Sequence, residues 1–306
     1  MLKQKKNLCI FIHFSEQNKI PYCVQIFVNE LASFFDEVVL LSNIKVLEST
    51  PVLSNNISLE FQENKGYDFG RFYTYYRTIN RNNYNRIACI NDSNFLINTL
   101  DKILIWDQID SFDLWGIVDS YEKPWFSTHK FNHHIQSHFL VLNNKAINLL
   151  DEYFESVKIN DLLNEKNQKK LRRKVINDWE IGLTQFMKSK GLKIGHYLNS
   201  KEITKQFNIP LDSNISHVLY KELLLNGYPL VKKKAFLEES LRSNKDELNC
   251  CELIKKLGKP DWNLNTLIDE LGQMKNSQKE VMRSGLVKKI ILLLQHLFVN
   301  FDGKQR

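Results

Sequence analysis

A chain of 306 residues with 43% apolar content can bury one large core, alone or with a helical appendix. Its net charge of +7 fits nucleic acid, an anionic membrane surface or a phosphorylated ligand alike. The basic residues gather at 169–174, 232–234 and in the last third, without the glycine-aromatic signature of an RNA-binding sheet, so nucleic acid is set aside.

Residues 8–14 (LCIFIHF) read as a first strand. Because that apolar stretch enters a strand, no signal-peptide cleavage region is read there, and the expected location is the cytoplasm, at the inner face of the cell membrane. A helix over 24–35 and a strand at 37–43 (EVVLLSN) complete a β-α-β opening. After a turn-rich link at 51–56 come the strand ISLEF and then ENKGYDFGRF at 63–72, whose glycines punctuate a turn into the helix FYTYYRTI. The apolar run at 87–90 reads as a central strand. Asn91, Asp92 and Ser93 at its carboxyl end fall where open α/β sheets place ligand chemistry. Gly66 and Gly70 fit neither the dinucleotide fingerprint nor the P-loop, which sets nicotinamide cofactors and P-loop chemistry aside.

A helix over 98–109, the strand DLWGIVDS, the loop YEKPWFSTHKFNHH and the strand FLVLN follow. His129, His133 and His134 in that loop lack metal-site spacing, as do the five cysteines, so neither zinc nor a disulfide framework is implied. Residues 146–170 read as a long amphipathic helical region, and NDWEIGLTQFMKSKG as a helix with Asp178 and Glu180 in its first turn, where carboxylates also complement the helix dipole. The compact region closes near Glu238. The longest apolar run, 290–294, falls well short of the ~20 residues that span a bilayer. The terminal SGLVKKIILLLQHLFVNF offers core packing, a homo-oligomer contact or peripheral contact with an anionic membrane.

Taken together, these motifs resemble the rhamnan synthesis protein F family of bacterial glycosyltransferases. The matching residues are ENKGYDFGRF (63–72), INDS (90–93), Trp115-Gly116, HIQSHFLVL (134–142), WEIGLT (179–184), NISHVLYKELLLNGYPLVK (214–232) and His13. Ile215, Ser216 and Tyr220 depart from the family's Asn-Pro-Thr-His-x-x-Trp, while Asn214 and His217 keep it. The resemblance implies an α/β, GT-A-like (Rossmann-like), mostly parallel sheet flanked by helices over residues 1–238; the tail at 239–306 matches none of these motifs and reads, from its charged helical segments, as a helical C-terminal extension.

It also implies transfer of a sugar such as rhamnose, galactose or galactofuranose. The donor would be a nucleotide-diphosphate sugar (UDP- or dTDP-sugar) and the acceptor a glycan or polyprenyl-linked molecule of surface polysaccharide. His13, Asn64, Lys65, Gly66, Asp68, Arg71, Asn91, Asp92, Ser93 and Lys232 would hold the nucleotide sugar. Asp92 and His217 would hold a divalent cation, Mg²⁺ or Mn²⁺; a metal-independent site with Arg71, Lys65 or Lys232 on the diphosphate is the alternative. Inverting transfer needs a carboxylate base, which Glu180 would supply, with Asp178 as alternate. Trp115, His134, Gln136, Ser137 and Trp179 would contact acceptor or sugar. A sugar-phosphate transferase and a non-catalytic scaffold are the competing readings.

Overall fold

The structure, a computed structural model, describes residues 5–236 and 244–274. Strand β1 (Lys6–His13) is apolar on both sides because both faces of its sheet are covered: Cys9 and Phe11 join one cluster, Leu8, Ile10 and Ile12 the other. Helix α1 (Tyr22–Leu31) seals the first face and leads into β2 (Glu37–Ser42) and β3 (Ile57–Phe61). Helix α2 (Tyr67–Tyr76) seals the second face through Phe69, Phe72 and Tyr76 and leads to β4 (Tyr84–Asn91), which pairs in parallel with the other side of β1.

Next come β5 (Asn94–Leu96), α3 (Trp106–Ile109), β6 (Leu114–Ser120), β7 (His134–Ile135) and β8 (Phe139–Asn143). The helices α4 (Asn144–Ser156), α5 (Ile159–Leu163) and α6 (Gln168–Lys174) follow. The last runs through a π-helical segment, Val175–Gly182, into α7 (Leu183–Ser189). The chain continues with β9 (Ile194–Leu198), α8 (Ser200–Gln206), α9 (Ile215–Val218), α10 (Tyr220–Leu225) and β10 (Leu230–Lys232).

The main sheet has the order β3-β2-β1-β4-β8-β6-β7, with β9 also on β6. Only β8 and β7 run against the rest, so β1, β2, β3, β4 and β6 end at one edge, at His13, Ser42, Phe61, Asn91 and Ser120. This is the mostly parallel, helix-flanked α/β sheet of the GT-A-like class expected from the sequence.

Three local expectations are corrected. Residues 98–109 hold only the four-residue α3, and the preceding Asn94–Leu96 is a strand because it pairs antiparallel with β10, a partner more than a hundred residues away. The single helical stretch at 146–170 is broken at Lys158, whose backbone is left-handed (φ 51). Asp178 and Glu180 do not open a helix: they lie inside one continuous helical run, in its π-helical turn, so the dipole argument does not apply to them.

A helix at Asn244–Leu257 and another at 264–274 pack on the α1 face through Cys250, Ile254, Leu267 and Leu271. Pro21 leads into α1 with no side-chain cap, and the Glu270 carboxylate accepts hydrogen bonds from the exposed N–H groups of Tyr22 (2.8 Å) and Cys23 (3.1 Å). This part of the extension is therefore joined to the core. The terminal apolar segment read as an oligomer or membrane contact lies outside the described residues. No helix among the described residues is long and apolar enough to cross a membrane.

Candidate active site

Two successive residues in the left-handed region, Gly66 (φ 75) and Tyr67 (φ 55), swing the chain after β3 into α2 and set Asp68 in the first helical turn. A tyrosine there is a strained choice, and strain of this kind concentrates at functional sites. Asp68 accepts from the Phe69 N–H (3.0 Å) and from Asn91 Nδ2 (2.8 Å) at the tip of β4. Burial, helped by the nearby Glu180 carboxylate, pushes its carboxyl up to about 6 against those bonds.

The Asn91 side chain also accepts the Ser93 N–H (3.1 Å), which shapes the turn that presents Asp92. Asp92 in turn accepts from Lys233 Nζ at 3.1 Å and lies 4.0 Å from His13 Nε2. His13 is buried at the end of β1 with Nδ1 against Ser42 Oγ (3.2 Å); desolvation pulls it down to about 4, so the imidazole is neutral at physiological pH. Arg71, on α2 and 1% exposed, donates through Nη1 to the His13 carbonyl (2.7 Å), and Gln62 brackets it at the end of β3. Burial lowers its guanidinium to about 10, still charged, with Asp92 and Asp68 sustaining the charge.

Glu180 reaches this group from the π-helical turn, an irregularity frequent at functional sites. It acts on Asp68 and also on Lys232, whose ammonium is lowered by burial and supported by Glu180 and Glu122. Glu122 accepts from Asn214 Nδ2 (3.2 Å); Asn214 Oδ1 accepts from Gln136 Nε2 (3.2 Å); the one proton of Ser216 Oγ lies between Asn214 Oδ1 (2.8 Å) and Gln136 Oε1 (3.0 Å).

The structure thus brings His13, Asp68, Arg71, Asn91, Asp92, Ser93, Lys232 and Glu180 together at the carboxyl edge of β1 and β4, with Gln136 in a polar wall beside Lys232. Asn64 and Lys65 are exposed at the rim. Asn64 lines an open groove of about 540 Å³ with Asn18, Asn43 and Phe61. Ser137 is half-buried in the turn before β8, and His217 is half-buried on α9.

Other expected contacts are overturned. Trp179 is fully buried, stacked on Phe69 at 4.6 Å, and Trp115 lies in the core edge-on to Phe139; neither has a face for a sugar. The His134 ring is buried, with Nδ1 on the Asn132 carbonyl (2.6 Å). Gly66 is buried against Gly70 and α5, where an added Cβ would lie 2.9 Å from the Gly70 Cα, so its role is packing rather than approach to a ligand. Asp178, two residues before Glu180, lines a separate cavity of about 470 Å³ with His129, Tyr153 and Lys174, and so is not an alternate for Glu180.

Sequence reasoning missed Lys233, His138, Gln62 and Glu122. The basic run 232–234 flagged the first without showing which lysine reaches Asp92. His138 lies inside the quoted HIQSHFLVL block, and its carbonyl accepts the Asn91 N–H (3.1 Å).

At the strand tip a divalent ion would meet a single carboxylate, Asp92. Among the described residues no group of three or more His, Cys, Asp or Glu is arranged to hold a metal, and the one carboxylate at the strand tip already faces an ammonium. The loop histidines are occupied as well: His129 by the Asn177 carbonyl (2.9 Å) and His133 by Asp119 (3.0 Å).

Fold and polar edge together define an α/β protein of the GT-A-like class. The family model for rhamnan synthesis protein F matches residues 38–301, and the chain belongs to that family. Its membership ties it to rhamnan or related polysaccharide synthesis. The match runs past Glu238, where the motif-based resemblance ends. No functionally curated protein matches the chain. Among solved structures it is similar to a Bacillus anthracis protein described as a candidate glucose-1-phosphate thymidylyltransferase in complex with sucrose. That match has a TM-score of 0.37 and 8% identity, covering 63% of this chain and 87% of the other.

Proposed function

We propose that the protein is an inverting glycosyltransferase that moves a sugar such as rhamnose, galactose or galactofuranose from a nucleotide-diphosphate donor to a glycan or polyprenyl-linked acceptor of bacterial surface polysaccharide, on the cytoplasmic side of the membrane. The observation that carries this reading is that Asp68 bonded to Asn91 (2.8 Å), Asp92 bonded to Lys233 (3.1 Å) and Arg71 bonded to the His13 carbonyl (2.7 Å) meet at a single sheet edge, with the Glu180 carboxylate near enough to act on Asp68.

In this reading Asn91 and Asp68 bind donor hydroxyls, and the basic groups of this edge counter the charge of the departing diphosphate. Glu180, with no hydrogen-bonded capping role in the helix, takes the acceptor's proton. The groove beside Asn64, at the ends of β2 and β3, has room for the base and ribose.

Incubation with UDP-, dTDP- and GDP-sugars plus acceptor extract tests the reading. Release of a nucleoside diphosphate supports it. Release of a monophosphate points instead to sugar-phosphate transfer. Nucleotide binding without turnover in any mixture leaves a scaffold.

A further inference from the structure

We propose that Lys233, together with Arg71, is the cationic pair that binds the donor's diphosphate, its ammonium standing beside Asp92 where a divalent cation would otherwise sit, so that the site works without a metal ion. The inference rests on the glycosyl-transfer reading above and adds what neutralises the leaving group.

Lys233 is fixed from two directions. Its backbone N–H donates to the Ser93 carbonyl (2.9 Å), and the preceding Lys232 is in antiparallel register with Asn94, so the end of β10 is clamped to the turn that carries Asp92. Its side chain is 16% exposed and its ammonium is bonded to Asp92 Oδ2. An ammonium has three N–H donors, and the Asp92 bond uses one, leaving donors for phosphate oxygens.

Next to it, two deeply buried nitrogens have no hydrogen-bond partner: Nη2 of Arg71 and Nε2 of His13. Buried polar atoms are rarely left so, and a phosphate oxygen arriving beside Lys233 would offer the guanidinium donor an acceptor. Asp92 then orients Lys233 rather than a metal, which accounts for a strand tip with a single carboxylate.

The transfer step uses only groups that this edge supplies. The acceptor O–H gives its proton to Glu180 and its oxygen bonds to the anomeric carbon. The bond from that carbon to the diphosphate oxygen breaks, and the electron pair stays on the diphosphate, facing Lys233 and Arg71.

Calorimetric titration of the full chain with UDP, dTDP and GDP, in EDTA and then in excess Mg²⁺ or Mn²⁺, tests the assignment. Affinity in EDTA is expected to stay within about twofold of that with metal. Lys233→Ala is expected to weaken it by roughly 10- to 100-fold, the value of a charge-assisted hydrogen bond, while Lys233→Arg retains most of it. The isosteric neutral pair Asp92→Asn/Lys233→Met, checked for an unchanged melting transition, guards against a folding defect and is expected to lose binding as Lys233→Ala does. Binding that requires the metal, or that survives both Lys233→Ala and the Asp92→Asn/Lys233→Met pair, overturns the assignment and leaves the glycosyltransferase reading standing. No binding of UDP, dTDP or GDP under any condition brings down both.

Discussion

Asp68 offers a prediction in which stability and activity move in opposite directions. Its carboxyl is pushed up to about 6 in the folded protein, from an ordinary value near 3.8, because burial and the neighbouring Glu180 disfavour its charge. A raised acid pKa means that the folded state holds the proton more tightly than the unfolded chain, so stability falls as pH rises from about 4 to about 6 and the penalty persists above that window. A shift of about two units corresponds to roughly 3 kcal/mol. Asp68→Asn, whose carboxamide mimics the protonated acid, is therefore expected to raise the melting temperature by roughly 5 °C at about pH 7.5, and by about half as much near pH 5. Transfer activity should fall at both pH values. Melting curves of both proteins across that range decide the matter: an offset that does not change with pH, or a variant less stable than wild type at neutral pH, refutes the reasoning.

Glu180→Gln should lose about 100-fold or more in transfer while keeping donor affinity, as expected for removal of a general base, whereas unchanged turnover removes Glu180 from that role. Trp179→Ala should destabilise the fold by about 3–5 kcal/mol, because a fully buried ring stacked on Phe69 leaves a cavity; a raised acceptor KM with an unchanged melting point would restore it to sugar binding. Asp178→Asn should leave turnover unaltered, since Asp178 opens into a different cavity, and a large loss of kcat would contradict that placement. Gly70→Ala should sharply lower soluble yield and melting temperature, because a Cβ there would stand 2.4 Å from the Lys65 carbonyl oxygen, and near-wild-type melting would show that the turn adapts.

The sheet was legible where the sequence carries continuous apolar runs: β1, β2, β4, β6 and β8 are such segments, and a strand buried on both faces needs no alternation to declare itself. What escaped was set by distant partners. Asn94–Leu96 has no strand signal of its own and becomes one through β10, and the break at Lys158 carries neither glycine nor proline. The site divided in the same way. Asp68, Asn91 and Asp92 could be read because they sit at the end of a strand or the start of a helix, positions that local pattern locates. Trp179 and Glu180 are adjacent in sequence, yet the first is fully buried in the core while the second is half-buried and acts on Asp68, a difference set by the surrounding packing and not by local pattern. Lys233 was hidden among three consecutive lysines, and its pairing with Asp92 depends on a clamp between segments 141 residues apart.

The central claim is that the polar cluster at the ends of β1 and β4 holds an activated sugar nucleotide. A crystal structure of the full chain with UDP or dTDP bound tests it most directly. The account predicts the diphosphate against Lys233 and Arg71 beside Asp92, with the base in the groove lined by Asn64. A nucleotide seated elsewhere, such as in the cavity beside Asp178 and Tyr153, would contradict it.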